Sequence, residues 1–371
     1  MNADRRTFLA LSTAAAAMPA RAIAQAADPI RDMIVINALG GIGDPNVRDD
    51  GGALSPRVLS DIRASGATAV NITIGYVFGK EEPFETSVRD VADTQALIRR
   101  YSDRLVHALT AADIRRAKAE GKLALILGFQ NAAMMGADAK RVDIFADLGV
   151  RVIQLTYNGP NQIGDGSTVP ENRGISPFGR EVIERLNAKR VMVDLSHSGQ
   201  RTCLEAAQIS KAPISINHTG CRAVTDLPRN KTDEELRLVA EKGGFVGIYF
   251  MPFLNPTGHA RAADVVAHLE HAVNVCGEDH VGIGTDGGIS QIDDLKAYEA
   301  ELAKEIAARR AAGISAPGER PDTYPFVVDL RGPDQFRKLA GLLAAKGWST
   351  ARIEKIMGAN FMRYATDIWG S

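Results

Sequence analysis

Eight short runs of β-branched and apolar residues recur along the chain, each followed by a stretch with helical character. The runs are Met33–Asn37, Thr68–Ile74, Lys122–Gly128, Arg151–Tyr157, Val191–Ser196, Pro213–Asn217, Phe245–Phe250 and His280–Gly284. Most are continuously apolar rather than alternating, which means burial on both faces, as in parallel strands sandwiched by helices. Between them, Ser176-Pro177 supplies an N-cap and first-turn proline, with Phe178, Val182, Ile183 and Leu186 on one face. Thr232 and Glu235 have capping-box spacing, and residues 261–275 carry Ala262, Val265, Val266, Leu269, Ala272 and Val273 on one stripe. Further helices are expected near 55–64, 89–119, 137–148, 199–210, 334–346 and 350–358.

Eight β-α units point to α/β class and a (β/α)8 TIM barrel. The rival is a doubly wound open sheet, which usually has fewer strands, and no G-x-G-x-x-G follows the first run. Residues 287–332 form a long excursion after the last strand, with a charged helix from Asp293 to Ala312, of the kind that covers a site at a barrel mouth. The domain expectation is one unit over residues 25–371. Residues 1–24 read as an export signal, with Arg5-Arg6 before a short apolar run and Ala22-Ile23-Ala24 as the cleavage site. The paired arginines resemble a twin-arginine signal, which implies a periplasmic location. No later stretch reaches the ~18 consecutive apolar residues of a membrane span.

Lys+Arg at 44 nearly cancels Asp+Glu at 45, so no bulk charge points to nucleic acid. The three cysteines, Cys203, Cys221 and Cys276, lack zinc-site spacing and read as small buried hydrophobes.

In such barrels chemistry gathers at the C-terminal strand ends. The first polar residues there are Gln130, Tyr157, Asn158, Asp194, His197, Asn217, His218 and Asp286. His197 and His218 stand at matching depth on adjacent strands, where two imidazoles with an oxygen ligand and a water suit zinc or a similar divalent ion. Asp286 is placed to take a proton from a metal-bound water. His268 and His271 flank an apolar helical stripe and read as a solvated edge, while Gly282-Ile283-Gly284 reads as close packing at a strand.

These residues resemble the membrane (renal) dipeptidase family of zinc peptidases, within the amidohydrolase superfamily. The resemblance runs through residues 174–250, including the segments VMVDLSHS around His197, ISINHTGCRAV around His218 and DLPRN around Arg229. It continues in EDHVGIGTD, residues 278–286, and more weakly over 122–158. It implies a metal-dependent dipeptidase on a (β/α)8 barrel, taking a dipeptide or similar small amide, and it admits a homodimer. By position, His197 and His218 look like ligands of one zinc, Asp286 like the catalytic aspartate, and Arg229 like the residue holding the substrate's carboxylate. The family's His-x-Asp falls at Leu39 and Gly41, its metal-bridging glutamate at Gln130, and a histidine that helps polarise the scissile group at Tyr157. The implied centre is therefore reduced to one ion at most, with Gln130, Asp286 and water as completing donors and Asp44 as a nearby substitute. Arg229 and Asn158 are the substrate-binding candidates of this reading. Two others stay open: a different reaction on this scaffold using Tyr157 and Asp286 with one metal or none, and a non-catalytic protein that keeps a small-molecule pocket.

Overall fold

A computed structural model of the chain describes residues 28–47, 52–311, 313 and 315–370. The export-signal expectation over residues 1–24 lies outside the described residues. The strands are β1 (Ile36–Gly41), β2 (Ala69–Thr73), β3 (Leu105–His107), β4 (Leu123–Phe129), β5 (Val150–Gln154), β6 (Met192–Asp194), β7 (Ser215–Thr219), β8 (Phe245–Ile248), β9 (Val281–Ile283) and β10 (Gly287–Gly288). The helices are α1 (Pro56–Ser65), α2 (Pro83–Arg100), α3 (Ala111–Glu120), α4 (Arg141–Asp147), α5 (Pro177–Ala188), α6 (Gln200–Ile209), α7 (Asp233–Glu241), α8 (Ala262–Cys276), α9 (Leu295–Ala311), α10 (Gln335–Ala345), α11 (Thr350–Glu354) and α12 (Asn360–Trp369).

The strands run in parallel in the order β10-β1-β2-β4-β5-β6-β7-β8-β9. Since β10 follows β9 directly in the chain and pairs with β1, the sheet curls back on itself. Thr285 fastens the seam: its N–H donates to Asn37 Oδ1 at 2.7 Å, and Asn37 Nδ2 donates to Thr285 Oγ1 at 2.8 Å. The Asp286 N–H donates to the Leu39 carbonyl at 2.9 Å beside them. The expected (β/α)8 architecture is the one observed.

Local chemistry explains the elements. All seven residues of β4 are buried, the both-faces burial that its apolar run requires. Ser176 accepts from the Gly179 N–H with Pro177 in the first turn, and Thr232 with Glu235 forms both bonds of a capping box. Gly284 is required by packing, because a Cβ there would overlap the Asn217 carbonyl oxygen. All three cysteines are free and buried.

The fold departs from the sequence reading in four places. The helix expected over 89–119 is two helices separated by β3, a three-residue strand that pairs only with β4. The first strand is Ile36–Gly41 rather than Met33–Asn37, because pairing of Gly40 and Gly41 with Gly287 and Gly288 draws it onward. The segment near 350–358 does not stop there; it passes through a π-turn at Lys355–Ala359 into α12. That helix sends Phe361 and Tyr364 against Phe245 and closes the end where the strands begin. The opposite end, where the strands finish, is left for chemistry. Finally, His268 is not at a solvated edge. It is fully buried, with Nδ1 accepting from the Cys221 N–H at 2.9 Å and Nε2 3.0 Å from the Leu254 carbonyl. His271 is half-buried and pairs with Asp233 at 2.7 Å.

Candidate active site at the strand ends

Four strands deliver the polar groups. β5 runs out into Tyr157 and Asn158, β6 into Ser196 and His197, β7 carries His218 itself, and β9 runs out into Asp286. A buried web sets the depth of the middle two. Asp194 Oδ1 accepts from Ser196 N at 3.0 Å, Ser196 Oγ at 2.5 Å and Asn217 N at 3.0 Å, and Ser196 Oγ accepts from the His218 N–H at 3.0 Å. Burial raises the Asp194 pKa, and these bonds oppose the rise.

The imidazoles of His197 and His218 meet Nε2 to Nε2 at 3.0 Å with ring planes 56° apart. Asn158 Oδ1 lies 2.6 Å from His197 Nδ1. A carbonyl oxygen there puts the proton on Nδ1 and leaves the Nε2 lone pair aimed at His218. Burial first, and the Arg229 charge second, push both histidines well below their usual pKa, so both are neutral. His218 Nδ1 is buried without a hydrogen-bond partner.

Tyr157 stacks on His197 with ring centroids 4.3 Å apart, and Phe78 stacks on Tyr157 at 5.9 Å. Burial, then the nearby Asp286 charge, push the Tyr157 hydroxyl up to about 12, so it remains a donor near neutral pH. Arg229 is 2% exposed; its Nη1 donates to the Ser196 carbonyl at 2.5 Å and its guanidinium lies 5.9 Å from the Tyr249 ring centre. Asp286 sits in the left-handed region at φ 55°, a sparsely used conformation for a non-glycine residue that aspartate tolerates better than most. Burial lifts its carboxyl to about 6 even though Arg229 pulls the other way. A carboxyl near that value can both take and return a proton close to neutral pH.

Tyr157, Asn158, His197, Arg229 and Asp286 line one cavity of about 220 Å³. The excursion after the last strand completes it with Arg309, Glu319 and Pro325. Those three carry no periodic or motif signal in the sequence, and only packing of the excursion against the mouth brings them in. Gln130 is not part of this cluster: its amide nitrogen donates to Thr73 Oγ1 at 2.6 Å and its backbone carbonyl accepts from Gln154 at 2.5 Å. Asp44 does not line this cavity either; it accepts from Ser55 Oγ at 2.6 Å and from Asn46.

The donor set can be weighed against a metal. Two neutral imidazoles with converging nitrogens are good ligands for a divalent ion. Among the described residues, however, no group of three or more His, Cys, Asp or Glu is arranged to hold one. A catalytic zinc draws on three protein ligands. The residues present therefore do not fit a complete protein-held metal centre, and Leu39 and Gly41 offer no side-chain donor toward a second ion.

The chain is similar to known proteins over most of its length. The family model described as membrane dipeptidase (peptidase family M19) matches residues 66–316. A dipeptidase of Claviceps purpurea, tcpJ, is 29% identical over 76% of this chain, which spans 60% of that relative's length. An uncharacterised protein encoded 5′ of pqqA in Klebsiella pneumoniae is 30% identical, with 78% of this chain and 98% of that protein covered. Among solved structures, an amidohydrolase from Pseudomonas aeruginosa superposes with a TM-score of 0.78 at 32% identity, covering 93% of this chain and 99% of that one. With the family model matching well over half of its length, the chain belongs to the membrane dipeptidase family, peptidase family M19.

Proposed function

We propose that this protein is a dipeptidase-like hydrolase that cleaves a dipeptide or similar small amide bearing a free carboxylate. The observation that carries the reading is the meeting of Asp286, Arg229, Tyr157 and His197 in one cavity at the strand ends. In this reading the Arg229 guanidinium, with one edge held by Ser196, offers its remaining N–H groups to the substrate's carboxylate. Asp286 takes a proton from the attacking water and returns it to the leaving amine. The Tyr157 hydroxyl donates toward the oxygen that gains charge as the amide carbonyl is attacked. Asn158 holds His197 in one tautomer and one orientation.

Divalent-metal use is general in this family. Two imidazoles alone do not complete such a centre, so no step above is routed through a metal. The reading extends to location: Arg5-Arg6 and the run behind it support export by a twin-arginine-type signal to the periplasm, and a homodimer is retained as the assembly. No helix among the described residues is long and apolar enough to cross a membrane.

The test is a panel of L,L and L,D dipeptides, each also supplied with its carboxylate capped as an amide. Release of free amino acids from uncapped members, with loss of turnover on capping, is the expected result. No hydrolysis of any uncapped dipeptide, with or without added zinc, would refute the proposal. The incomplete donor set favours one second reading, a different reaction on the same scaffold using Tyr157 and Asp286; rapid zinc-dependent turnover of ordinary dipeptides would count against it.

A further inference from the structure

A second cavity, of about 390 Å³, lies on the other side of Asp286. Asp286 and Pro325 line both cavities, so the two spaces share a wall. Their characters differ. The cavity holding His197 and Arg229 is polar at its floor, whereas most of the wall of the larger one is apolar, formed by Phe250, Ile292, Tyr298, Phe326 and Leu330, with Asp44 and Arg331 as its charged members besides Asp286.

That apolar wall is braced before any ligand arrives. Phe326 stacks against Tyr324 at 5.0 Å and packs near Tyr298 at 5.9 Å. The Arg331 guanidinium lies 5.4 Å from the Phe326 ring centre, and its N–H groups donate to the Val328 and Ile292 carbonyls at 3.2 and 3.1 Å. Gln335 Nε2 donates to the Gly288 carbonyl at 3.0 Å and fixes the opposite rim. Gly43, Gly287 and Gly288 are among the residues that line the cavity. A Cβ added at Gly43 would meet nothing within 4 Å, and one at Gly288 would meet only ordinary contacts at 3.9 and 4.0 Å. A larger residue at either lining position therefore meets no backbone clash.

We propose that this second cavity is the subsite for a large apolar, aromatic-sized side chain on the amino-side half of the substrate. The proposal rests on the dipeptidase-like reading above. Arg229 holds the carboxylate end in the polar cavity, Asp286 stands where the two spaces join, and the amino-side half is the part of the molecule left to enter the apolar one. A preformed apolar pocket of this size suits a phenylalanine- or tryptophan-sized group, and burying such a group is worth roughly 10- to 100-fold in affinity over a methyl.

The experiment uses two kinds of measurement on the wild-type protein and on the Gly43→Leu and Gly288→Leu variants. Hydrolysis of Phe-Ala and Ala-Ala gives the ratio of their kcat/KM values. Calorimetric titration with the ketomethylene analogues of the same two dipeptides, in which CO–CH2 replaces the cleavable CO–NH, gives the binding preference without turnover. The expected result is a preference of tenfold or more for the phenylalanine compound in the wild type, falling at least tenfold in the variants. Equal binding of the two analogues, failure of the phenylalanine analogue to bind, or a preference that survives both substitutions would overturn the subsite. A binding preference without hydrolysis of either dipeptide would overturn the proposed reaction and leave the subsite standing.

Discussion

Asp286→Asn should inactivate the protein and stabilise it at the same time, and the second effect has a defined pH dependence. In the folded chain burial lifts the carboxyl from the usual 3.8 to about 6. The folded state therefore binds this proton more tightly than the unfolded state does. The resulting stabilisation is fully present below pH 3.8 and is lost as the pH rises to about 6, above which the ionised group opposes folding. A shift of that size corresponds to roughly 3 kcal/mol at pH 8 and about 0.5 kcal/mol at pH 4. Asparagine resembles the neutral acid in shape, and it tolerates the left-handed backbone found at this position. The variant should gain up to about 3 kcal/mol at pH 8, reduced somewhat because Arg229 loses a neighbouring anion. For a chain of this size that is roughly 4 °C in Tm. At pH 4 the two proteins should melt within about 1 °C of each other. Turnover should fall by roughly 10²- to 10⁴-fold through loss of the proton-transfer group, and the wild-type kcat/KM should rise with pH to a plateau with its midpoint near the carboxyl's value of about 6. Thermal unfolding at the two pH values and a pH–rate profile check this. A Tm gain that is absent at pH 8, or equal at both pH values, would show that Asp286 is not held against its ionisation. Activity within tenfold of wild type would remove it from the chemistry.

Other perturbations test separate parts of the argument. Arg229→Lys keeps the charge but loses the planar fork, so KM for a carboxylate-bearing substrate should rise roughly 10- to 100-fold by steady-state kinetics; an unchanged KM would mean that this arginine does not hold the carboxylate. Equilibrium dialysis against zinc followed by elemental analysis should find no more than one ion per chain, and His218→Ala should remove it; two ions per chain would show that donors other than these two imidazoles hold metal. Gly284→Ala drives a Cβ into the Asn217 carbonyl and should cost about 3 kcal/mol. A urea midpoint equal to that of the parent would show that the strands can part without penalty.

Much of the fold was legible locally because each signal acts over a few residues. The all-buried run of β4, the Ser176 cap with its following proline, and the Thr232–Glu235 capping box have the same meaning in the sequence and in the structure. What escaped notice is non-local. β3 is three residues long and held by one neighbour, too short for any periodicity to show. The burial of His268 comes from the chain around Cys221 and Leu254, each far from it in sequence, so its position at the edge of a helical stripe pointed the wrong way. At the site, the strand ends drew attention to Tyr157, Asn158, His197, His218 and Asp286; four of these line one cavity, and His218 meets His197 behind it. The side-chain direction of Gln130 depends on Thr73 across the sheet, which spacing cannot supply.

The sequence by itself determined the α/β alternation and the end of the barrel at which polar residues collect. Those follow from residue type and short-range pattern. Only the tertiary structure decided the rest: the 3.0 Å meeting of two neutral imidazoles, the carboxyl of Asp286 lifted to about 6, and the excursion that closes one cavity and walls another. Each of these depends on desolvation or contact between segments distant along the chain, and burial of that kind exists only once the barrel has closed.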